Sequence, residues 1–356
     1  MDTKRKYRIF IVIAVFIVYT LIAAEPIPVE TVLSMRWIKS LESTFPQNPE
    51  SSLQSLIPYK LGSRFGYVSD TGSFAINQII KNDISFSQDL FAEYSGIDEK
   101  IDVKNPLNEI IFTMNDMHAY PFFIADRIFI VHKEQSAVSE LNKNGEILWS
   151  YFFSSILTCA DAQADFFLCG TLDGTLFLIG KNGNLVYSYE PSGSRIQGIY
   201  GCAISKDGTK FAVISGIDEQ RFVFFEDAAG SWRIRSHEFL GEGFRQPVFI
   251  TFTDSGKRVA YERKGAVGIY EIESRNFFSV PVKDKIEYIC SSDDEDLLFL
   301  INRGQARQKT FSVIKYPQIL IIDAPYTNKD SFLAVNGKTI FLGGDNNLSM
   351  FSIDSR

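Results

Sequence analysis

Cysteine and histidine are the residues best suited to nucleophilic or metal chemistry, but this sequence spaces them too widely for either. The four cysteines contain no Cys-x-x-Cys pair, and the three histidines contain no His-x-x-x-His pair. These residues are Cys159, Cys169, Cys202, Cys290, His118, His132 and His237. Zinc sites draw on such short spacings, and the sequence also contains no Gly-x-Ser-x-Gly elbow for a serine nucleophile. It therefore predicts no metal ligands and no catalytic residues.

Aspartates recur at predicted turns, where their carboxylates could bind a cation. Asp70, Asp173, Asp207 and Asp254 each occupy one turn, and Asp293–Asp296 reads DDED. A calcium loop needs several oxygen ligands at defined spacing and a glycine between them, which DDED lacks. Aspartate is also common in turns because it accepts local backbone hydrogen bonds. We expect turn roles for all of these residues.

Two further segments have the composition of binding loops without the surrounding pattern. Gly241–Gln246 reads GEGFRQ, which lacks the strand, Gly-x-Gly-x-x-Gly and helix order of a nucleotide site. Arg303–Lys309 reads RGQARQK and could face an acidic partner, although an ordinary exposed turn explains it more simply. The sequence therefore predicts no cofactor and no cofactor-binding residues.

The composition favours a globular β protein. The 356 residues include 31 Phe and 15 Tyr, and bulky aromatic side chains suit half-buried pleated surfaces. Lys and Arg number 36 against 43 Asp and Glu, for a net charge of −7. Nucleic-acid binding needs a concentrated basic surface, so this charge argues against a nucleic-acid partner.

One short motif occurs twice and indicates a repeat. Asn142–Tyr151 reads NKNGEILWSY, and Gly180–Tyr189 reads GKNGNLVYSY. Seven predicted hairpin turns follow one another at roughly 40–50 residue spacing, the range of one supersecondary unit per repeat. The turns are Ser69–Gly72, Ala125–Arg127, Asp161–Asp165, Lys206–Lys210, Asp254–Lys257, Asp293–Asp296 and Asn336–Lys338. The longest gap contains an apparent extra segment, Tyr94–Glu109.

Each repeat has the composition of four antiparallel strands. Ser155–Cys159 and the three runs of Phe166–Glu190 are divided by Asp-Gly and Asn-Gly pairs suited to tight hairpins. Seven such units predict an all-β fold, a seven-bladed β-propeller of four-stranded antiparallel blades. In this arrangement Trp149 packs between blades, and Cys159 lies on an inner strand. The sequence does not decide whether Cys159 and Cys169 form a disulfide, although the predicted hairpin offsets the two sulfurs.

The last repeat needs a fourth strand from elsewhere in the chain. Ser331–Val335, Lys338–Gly343 and Leu348–Ile353 supply three strands. Leu56–Leu61 is the candidate for the fourth, because pairing it with the last blade would close the ring and remove an open sheet edge.

The repeat resembles those of known bacterial propellers. Phe166–Tyr187, with its Asp-Gly and Asn-Gly turns and terminal aromatic, resembles a quinoprotein-type repeat. Ile128–Tyr151 fits the same frame but has Gln135-Ser136 where Asp-Gly is expected, and Ile204–Ser215 is more similar to WD-repeat-like propellers. The resemblance implies the fold. It implies no activity, since the acidic, amide and aromatic residues of a quinone site are not assembled here.

Residues 1–24 have the pattern of a membrane anchor or an export signal. Lys4, Arg5, Lys6 and Arg8 precede Ile9–Ala24, which contains no charge. A helix of that length rises about 24 Å, a little short of a hydrocarbon core of about 30 Å. We prefer an uncleaved anchor, with a cleaved signal second and a buried core helix third. In the first two cases the N-terminus stays cytoplasmic and the rest is exported.

Residues 25–55 differ from the repeats that follow. An apolar set falls near a helical period, which predicts a juxtamembrane helix or a partner-binding helix. It consists of Val29, Val32, Leu33, Ile38 and Leu41, with Trp37 fitting in part. Pro46–Ser52 then reads as a polar linker. The predicted organisation is an anchor or signal at 1–24, a helix and linker at 25–55, and a propeller at 56–356.

These features predict an exported protein-binding or scaffolding module of a bacterial cell envelope. Its partner would be an envelope protein, and Ile9–Ala24 would contact the inner membrane; a cleaved signal would instead leave the propeller in the periplasm. Propeller lipoproteins of outer-membrane assembly are a loose analogue, although no cysteine follows Ala24 for lipid attachment. The alternative is a ligand sensor or an enzyme with its site in the propeller channel, which an acidic or amide cluster at one channel mouth would favour.

Overall fold

A computed structural model describes residues 7, 10, 12–16, 18–19, 31–43, 56–95, 100–115, 119–191, 194–253, 255–292 and 296–355. The chain divides into two units. One consists of Met1–Ser34 and Ile353–Arg356, and the other of Met35–Ser352. Most of the propeller, which the following paragraphs describe, lies in the second unit.

The described residues are almost entirely in β-strands. The first half of the chain contains β1 (Thr31–Ser40), β2 (Ile57–Leu61), β3 (Arg64–Val68), β4 (Phe74–Ile79), β5 (Asp83–Phe86), β6 (Phe91–Tyr94), β7 (Lys100–Lys104), β8 (Ile110–Asn115), β9 (Ala119–Ile124), β10 (Arg127–His132), β11 (Ala137–Leu141), β12 (Ile147–Phe152), β13 (Leu157–Gln163), β14 (Phe166–Thr171), β15 (Leu176–Gly180) and β16 (Leu185–Tyr189). The second half contains β17 (Ile199–Ile204), β18 (Lys210–Ser215), β19 (Gln220–Asp227), β20 (Trp232–Gly241), β21 (Ile250–Phe252), β22 (Arg258–Arg263), β23 (Ala266–Glu271), β24 (Asn276–Pro281), β25 (Lys285–Ser292), β26 (Leu297–Arg303), β27 (Gln308–Lys315), β28 (Ile319–Thr327), β29 (Ser331–Asn336), β30 (Thr339–Gly344) and β31 (Asn347–Ser355).

Within the described residues these strands form eight antiparallel sheets, so the expected count of seven blades is wrong. Blade 1 contains the three strands β2–β4, and blades 2 to 7 each contain four consecutive strands, from β5–β8 to β25–β28. Blade 8 consists of β29, β30, β31 and β1. The all-β class and the four-stranded antiparallel blade are confirmed.

The missing blade lies where the sequence suggested an insertion. The predicted turn Ser69–Gly72 connects the second and third strands of blade 1, whereas the other six predicted turns fall between the first and second strands of blades 3 to 8. The sequence does not mark blade 2 as a repeat, because β5 and β6 have only four residues each and the turn between them contains no glycine. The supposed insertion Tyr94–Glu109 contains its third strand, β7.

Ring closure uses a different strand from the expected one. Leu56–Leu61 does not pair with the last blade, because β2 is the first strand of blade 1 and pairs with β3. The fourth strand of blade 8 is β1, which pairs with β31. The helix predicted within residues 25–55 is therefore wrong at 31–40, since the helical spacing of its apolar residues is overridden by strand pairing. The predicted linker Pro46–Ser52 lies outside the described residues.

The expected N-terminal spanning helix is not supported. The described residues between 7 and 19 are helical. Over the part of the chain that the structure describes, no helix combines the length and apolar character needed to cross a membrane. The remaining residues of Ile9–Ala24 lie outside the described ones.

The hydrophobic core is divided into clusters that each join two neighbouring blades. Phe129 of blade 3 and Phe167 of blade 4 are both fully buried, with ring centroids 4.8 Å apart. Trp149 completes this cluster, with its ring centroid 6.3 Å from that of Phe129. This is the interblade position expected for Trp149. Burial between sheets is required because neither face of a blade is covered by the blade itself.

Trp37 on β1 joins the last blade to the first. Its indole N–H donates to the carbonyl of Asp70 in blade 1 at 2.9 Å, and its ring meets Phe341 of blade 8 edge-on at 6.1 Å. We predict that Trp37→Ala lowers the free energy of unfolding by about 2–3 kcal/mol, because it removes apolar contact on both sides of the closure. Ile38→Ala, on the same strand with 61% of its side chain exposed, should change it by less than about 0.5 kcal/mol. Chemical denaturation measures both variants, and an equal loss of unfolding free energy in Trp37→Ala and Ile38→Ala would contradict a role for Trp37 in ring closure.

Candidate protein-binding site

Blades 2, 3 and 4 share one outer hairpin, formed by their third and fourth strands. In blade 3 the N–H of Asn142 donates to the carbonyl of Glu146 at 2.9 Å, and the N–H of Gly145 donates to the carbonyl of Asn142 at 3.0 Å. The same two bonds recur at Asn105, Asn108 and Glu109 of blade 2 and at Gly180, Gly183 and Asn184 of blade 4. The last residue of each four-residue turn has a positive φ: 66° at Asn108, 83° at Gly145 and 77° at Gly183.

A buried or half-buried aromatic residue follows each turn, and this residue packs against the next blade. These residues are Phe112, Trp149 and Tyr187. A Cβ at Gly145 would lie 2.5 Å from the Phe112 ring, and one at Gly183 would lie 2.6 Å from the Cβ of Trp149. Each glycine therefore serves the positive φ and the close approach together. The contact places the outer hairpins of successive blades in equivalent positions.

Two exposed aliphatic residues precede each aromatic residue and form what we call the apolar belt. The belt consists of Ile110, Ile111, Ile147, Leu148, Leu185 and Val186, with exposed fractions of 56%, 47%, 51%, 57%, 45% and 41%. They are the first two residues of β8, β12 and β16, the outermost strands of three consecutive blades. Single exposed aliphatic residues are ordinary, but grouped ones mark interaction surfaces.

The sequence carries a signal for the belt in a third copy of the repeated motif. The second and third copies of the motif were recognised by their Lys-Asn-Gly turns. The first copy, Asn105–Phe112, has Asn108 in place of the glycine, and its turn falls in the predicted extra segment Tyr94–Glu109. Asparagine tolerates positive φ, so the aliphatic pair and the aromatic residue after Asn108 identify Asn105–Phe112 as another copy of the motif.

A cleft of about 290 Å³ opens between blades 2 and 3 beside the belt. Its apolar lining comes from Leu90, Ile111, Phe123 and Ile128, so Ile111 belongs to both the belt and the cleft. Asp89, Asp126 and Lys143 add exposed charges to the lining. Mostly apolar concave sites with a few polar groups are the usual form of binding sites.

A buried ion pair holds one wall of the cleft rigid. Arg127 donates to both carboxylate oxygens of Glu140, at 2.8 and 2.7 Å, and to the carbonyl of Phe166 in blade 4 at 2.6 Å. The Trp149 indole N–H donates to the same carboxylate at 2.7 Å. Side chains of Arg127 and Glu140 are only 11% and 8% exposed. The network connects the cleft with the aromatic residue on which the next hairpin packs.

Buried carboxylates near the inner strands connect neighbouring blades. Asp161 accepts hydrogen bonds from the backbone N–H groups of Ala162 and Ile204, both at 2.8 Å, and so joins blade 4 to blade 5. Burial raises the pKa of Asp161, and these two donors oppose that rise. Glu262 accepts from Phe249 and from Ile286 of blade 7 in the same way, and burial raises its pKa also. Their hydrogen bonding gives both carboxylates structural roles.

Two of the aspartates predicted to shape turns, Asp173 and Asp207, accept local hydrogen bonds in the structure. Asp207 accepts from the N–H of Thr209 at 3.0 Å and from the hydroxyl of Ser205 at 2.6 Å. Asp173 accepts from the hydroxyl of Thr171 at 2.5 Å. Asp254 and the first three residues of the DDED segment lie outside the described residues, as does His118. Among the residues that are described, no three His, Cys, Asp or Glu side chains are grouped to hold a metal ion.

This geometry defines an eight-bladed β-propeller with an apolar surface along the outer strands of three adjacent blades. The chain belongs to a family described as beta-propeller protein, whose profile matches residues 1–356. A relative, an uncharacterized protein of Treponema pallidum (strain Nichols), is 24% identical over 361 residues, which cover 98% of this chain and 94% of that one.

Two solved structures share the fold. BamB from Moraxella catarrhalis aligns with a TM-score of 0.62 and 12% identity over 90% of this chain and 100% of that one. The computationally designed Ika8 protein aligns with a TM-score of 0.60 and 13% identity over 85% of this chain and 98% of that one. At these identities the similarity shows the fold alone.

The wall of the cleft generates a stability prediction. Glu140→Gln should lower the free energy of unfolding by about 3–5 kcal/mol, because it leaves the buried Arg127 charge without its counter-ion. Asp165→Asn is the matched control, since Asp165 pairs with Lys181 at 3.1 Å with side chains 69% and 72% exposed. It should cause almost no change, as surface pairs contribute little. Urea unfolding of both variants tests this, and a Glu140→Gln loss no larger than the control's would contradict it.

Proposed function

We propose that this propeller is a protein-binding module that holds an extended apolar segment of a partner protein along the apolar belt. The observation that carries this proposal is the repeated exposure of an aliphatic pair at one position in three consecutive blades. Exposing an aliphatic pair at the same place in three consecutive blades costs solubility unless a partner covers the pairs.

The form of the belt favours an extended segment over a helix. β8, β12 and β16 are the outermost strands of their sheets, so each has one edge that no strand of its own sheet covers. The backbone of an extended partner segment can hydrogen-bond to one such edge, and the rest of the segment can then contact the aliphatic pairs of the adjacent blades. The cleft beside Ile111 has the size and the apolar lining to receive one bulky side chain of that segment.

Blade 7 has an exposed aliphatic run of its own that lacks this setting. Ile319, Leu320 and Ile321 of β28 are 56%, 41% and 37% exposed. The adjacent outer strand β24 begins with Asn276 and a half-buried Phe277, so no aliphatic pair continues the run on that side. Ile319 is therefore a control for Leu148: it lies at the start of an outer strand, one position earlier than Leu148 does, and is 56% exposed against 57%.

The comparisons support a binding role without identifying a partner. The neighbouring structure of BamB shares the fold, and a propeller presents its outer strands and turns around a rigid ring. The resemblance of Phe166–Tyr187 to quinoprotein-type repeats supports the repeat frame and transfers no activity to this chain.

Site-specific photo-cross-linking tests the belt directly. A photoreactive amino acid at position 148 should give a discrete protein adduct in the native cell, and the same probe at position 319 should not. Leu148→Asp should then reduce recovery of that adducted protein by affinity capture at least about tenfold, as expected for a residue at the centre of an interface. Ile319→Asp should leave recovery unchanged.

Two results would contradict the belt as the binding surface. One is the absence of an adduct at position 148 in a protein that is folded by circular dichroism. The other is the same adduct at both positions with equal effects of the two aspartate variants.

We propose further that the propeller works in a bacterial cell envelope, on the exported side of the cytoplasmic membrane. The support is the cluster of basic residues from Lys4 to Arg8 followed by the uncharged Ile9–Ala24, the order found in export signals. An envelope protein is accordingly the expected class of partner.

Protease accessibility tests the location. A C-terminal tag should be digested once the outer envelope is opened while a cytoplasmic marker protein remains intact. Digestion of the tag only after the cytoplasmic membrane is broken would show that the propeller is not exported. Mass spectrometry of the N-terminus in the same sample would show whether the segment is cleaved.

A further inference from the structure

Two cysteines meet at the contact between blades 4 and 5. Cys159 lies half-buried on β13, the inner strand of blade 4, and Cys202 lies on β17, the inner strand of blade 5, with 6% of its surface exposed. Both belong to the hydrophobic cluster that joins these two blades. No disulfide joins any of the four cysteines in this structure.

Two hydrogen bonds, one on each side of the two cysteines, fix the alignment of these inner strands. The hydroxyl of Thr158 donates to the carbonyl of Ile199 at 2.5 Å, and the N–H of Ile204 donates to Asp161 at 2.8 Å. Cys159 lies between Thr158 and Asp161 on β13, and Cys202 lies between Ile199 and Ile204 on β17. The Cys202 thiol reaches across to blade 4, where it donates to the carbonyl of Leu168 at 3.7 Å, two residues before Gly170, which is opposite Cys159.

The surroundings leave room for the Cys159 sulfur and direct it to blade 5. Cys159 is paired across the hairpin with Gly170, where an added Cβ would lie only 3.0 Å from the sulfur. Cys169 is paired with Ala160, so it points to the opposite face of the sheet from Cys159. It is fully buried in the cluster between blades 3 and 4. Cys202, rather than Cys169, is therefore the partner that the geometry gives to Cys159.

We propose that Cys159 and Cys202 form a reversible interblade disulfide when the protein meets a disulfide oxidant. A small disulfide such as oxidised glutathione, or a protein disulfide of an oxidising envelope, would serve as that oxidant. The closed form would join two blades by a covalent bond at their inner strands, where hydrogen bonds and apolar packing join them in the reduced form.

The reaction proceeds by two thiol–disulfide exchanges. The Cys159 thiolate attacks one sulfur of the oxidant, a mixed disulfide forms, and the first reduced thiol leaves. Cys202 then loses its proton and attacks the Cys159 sulfur, which releases the second reduced thiol. Two protein thiols are oxidised and one oxidant disulfide is reduced to two thiols. Hydrogen bonding with Cys159 and burial raise the pKa of Cys202, so the half-buried Cys159 is the residue that meets the oxidant.

The full-length protein is reduced, freed of reductant, exposed to oxidised glutathione, quenched in acid and mapped by mass spectrometry. We expect a peptide pair joined through Cys159 and Cys202, with the loss of two of the four titratable thiols. The melting temperature should rise by about 5 °C on oxidation, as expected for a cross-link that closes a loop of this size. Reductant should reverse both changes.

Single substitutions by alanine separate this pair from the other thiols. Cys159→Ala and Cys202→Ala should lose the linked peptides and the temperature shift, whereas Cys169→Ala and Cys290→Ala should keep both. The reduced melting temperature of each variant shows that it folds. The proposal is overturned if the wild type keeps all four thiols, if only a stable glutathione adduct forms at Cys159, or if Cys159 joins Cys169 instead.

Discussion

The contact between the faces of neighbouring blades is the constraint on which the rest of the structure depends. A sheet of three or four strands has two apolar faces and buries neither alone. Clusters such as Phe129, Trp149 and Phe167 bury them pairwise, so every blade needs a neighbour on each side. Ring closure by β1 satisfies this need for the last blade, and Trp37 brings the first and last blades into contact.

The sequence predicted the features that depend on local chemistry. Positive φ at Gly145 and Gly183 follows from the Asn-Gly pairs that marked the repeat. The three strands assigned to the last repeat correspond to β29, β30 and β31, because alternating apolar residues between turn residues specify strands locally. The all-β propeller class, with four antiparallel strands to a blade, required no information beyond these patterns.

The features that the sequence did not predict depend on distant parts of the chain. β1 has apolar residues at a spacing that fits a helix, and its strand conformation comes from pairing with β31 more than 300 residues later, a separation like that of Arg36 and Ser352. Blade 2 has two short inner strands, β5 and β6, and no glycine in the turn between them, so the sequence does not mark it as a repeat. The sequence does not predict the apolar belt, because the pattern of a short strand does not show whether an aliphatic pair is exposed or buried.

Comparison among the outer strands shows that the fold does not require the apolar belt. The first two residues of β20 are Trp232 and Arg233, and those of β24 are Asn276 and Phe277. In each of these strands one residue is polar and exposed, and the other is a half-buried aromatic. Since blades 5 and 6 form the same four-stranded sheets with these residues, packing alone does not explain exposed aliphatic pairs in blades 2, 3 and 4. The aromatic residue at the third position of those strands serves the fold, and the pair before it is available to serve a partner.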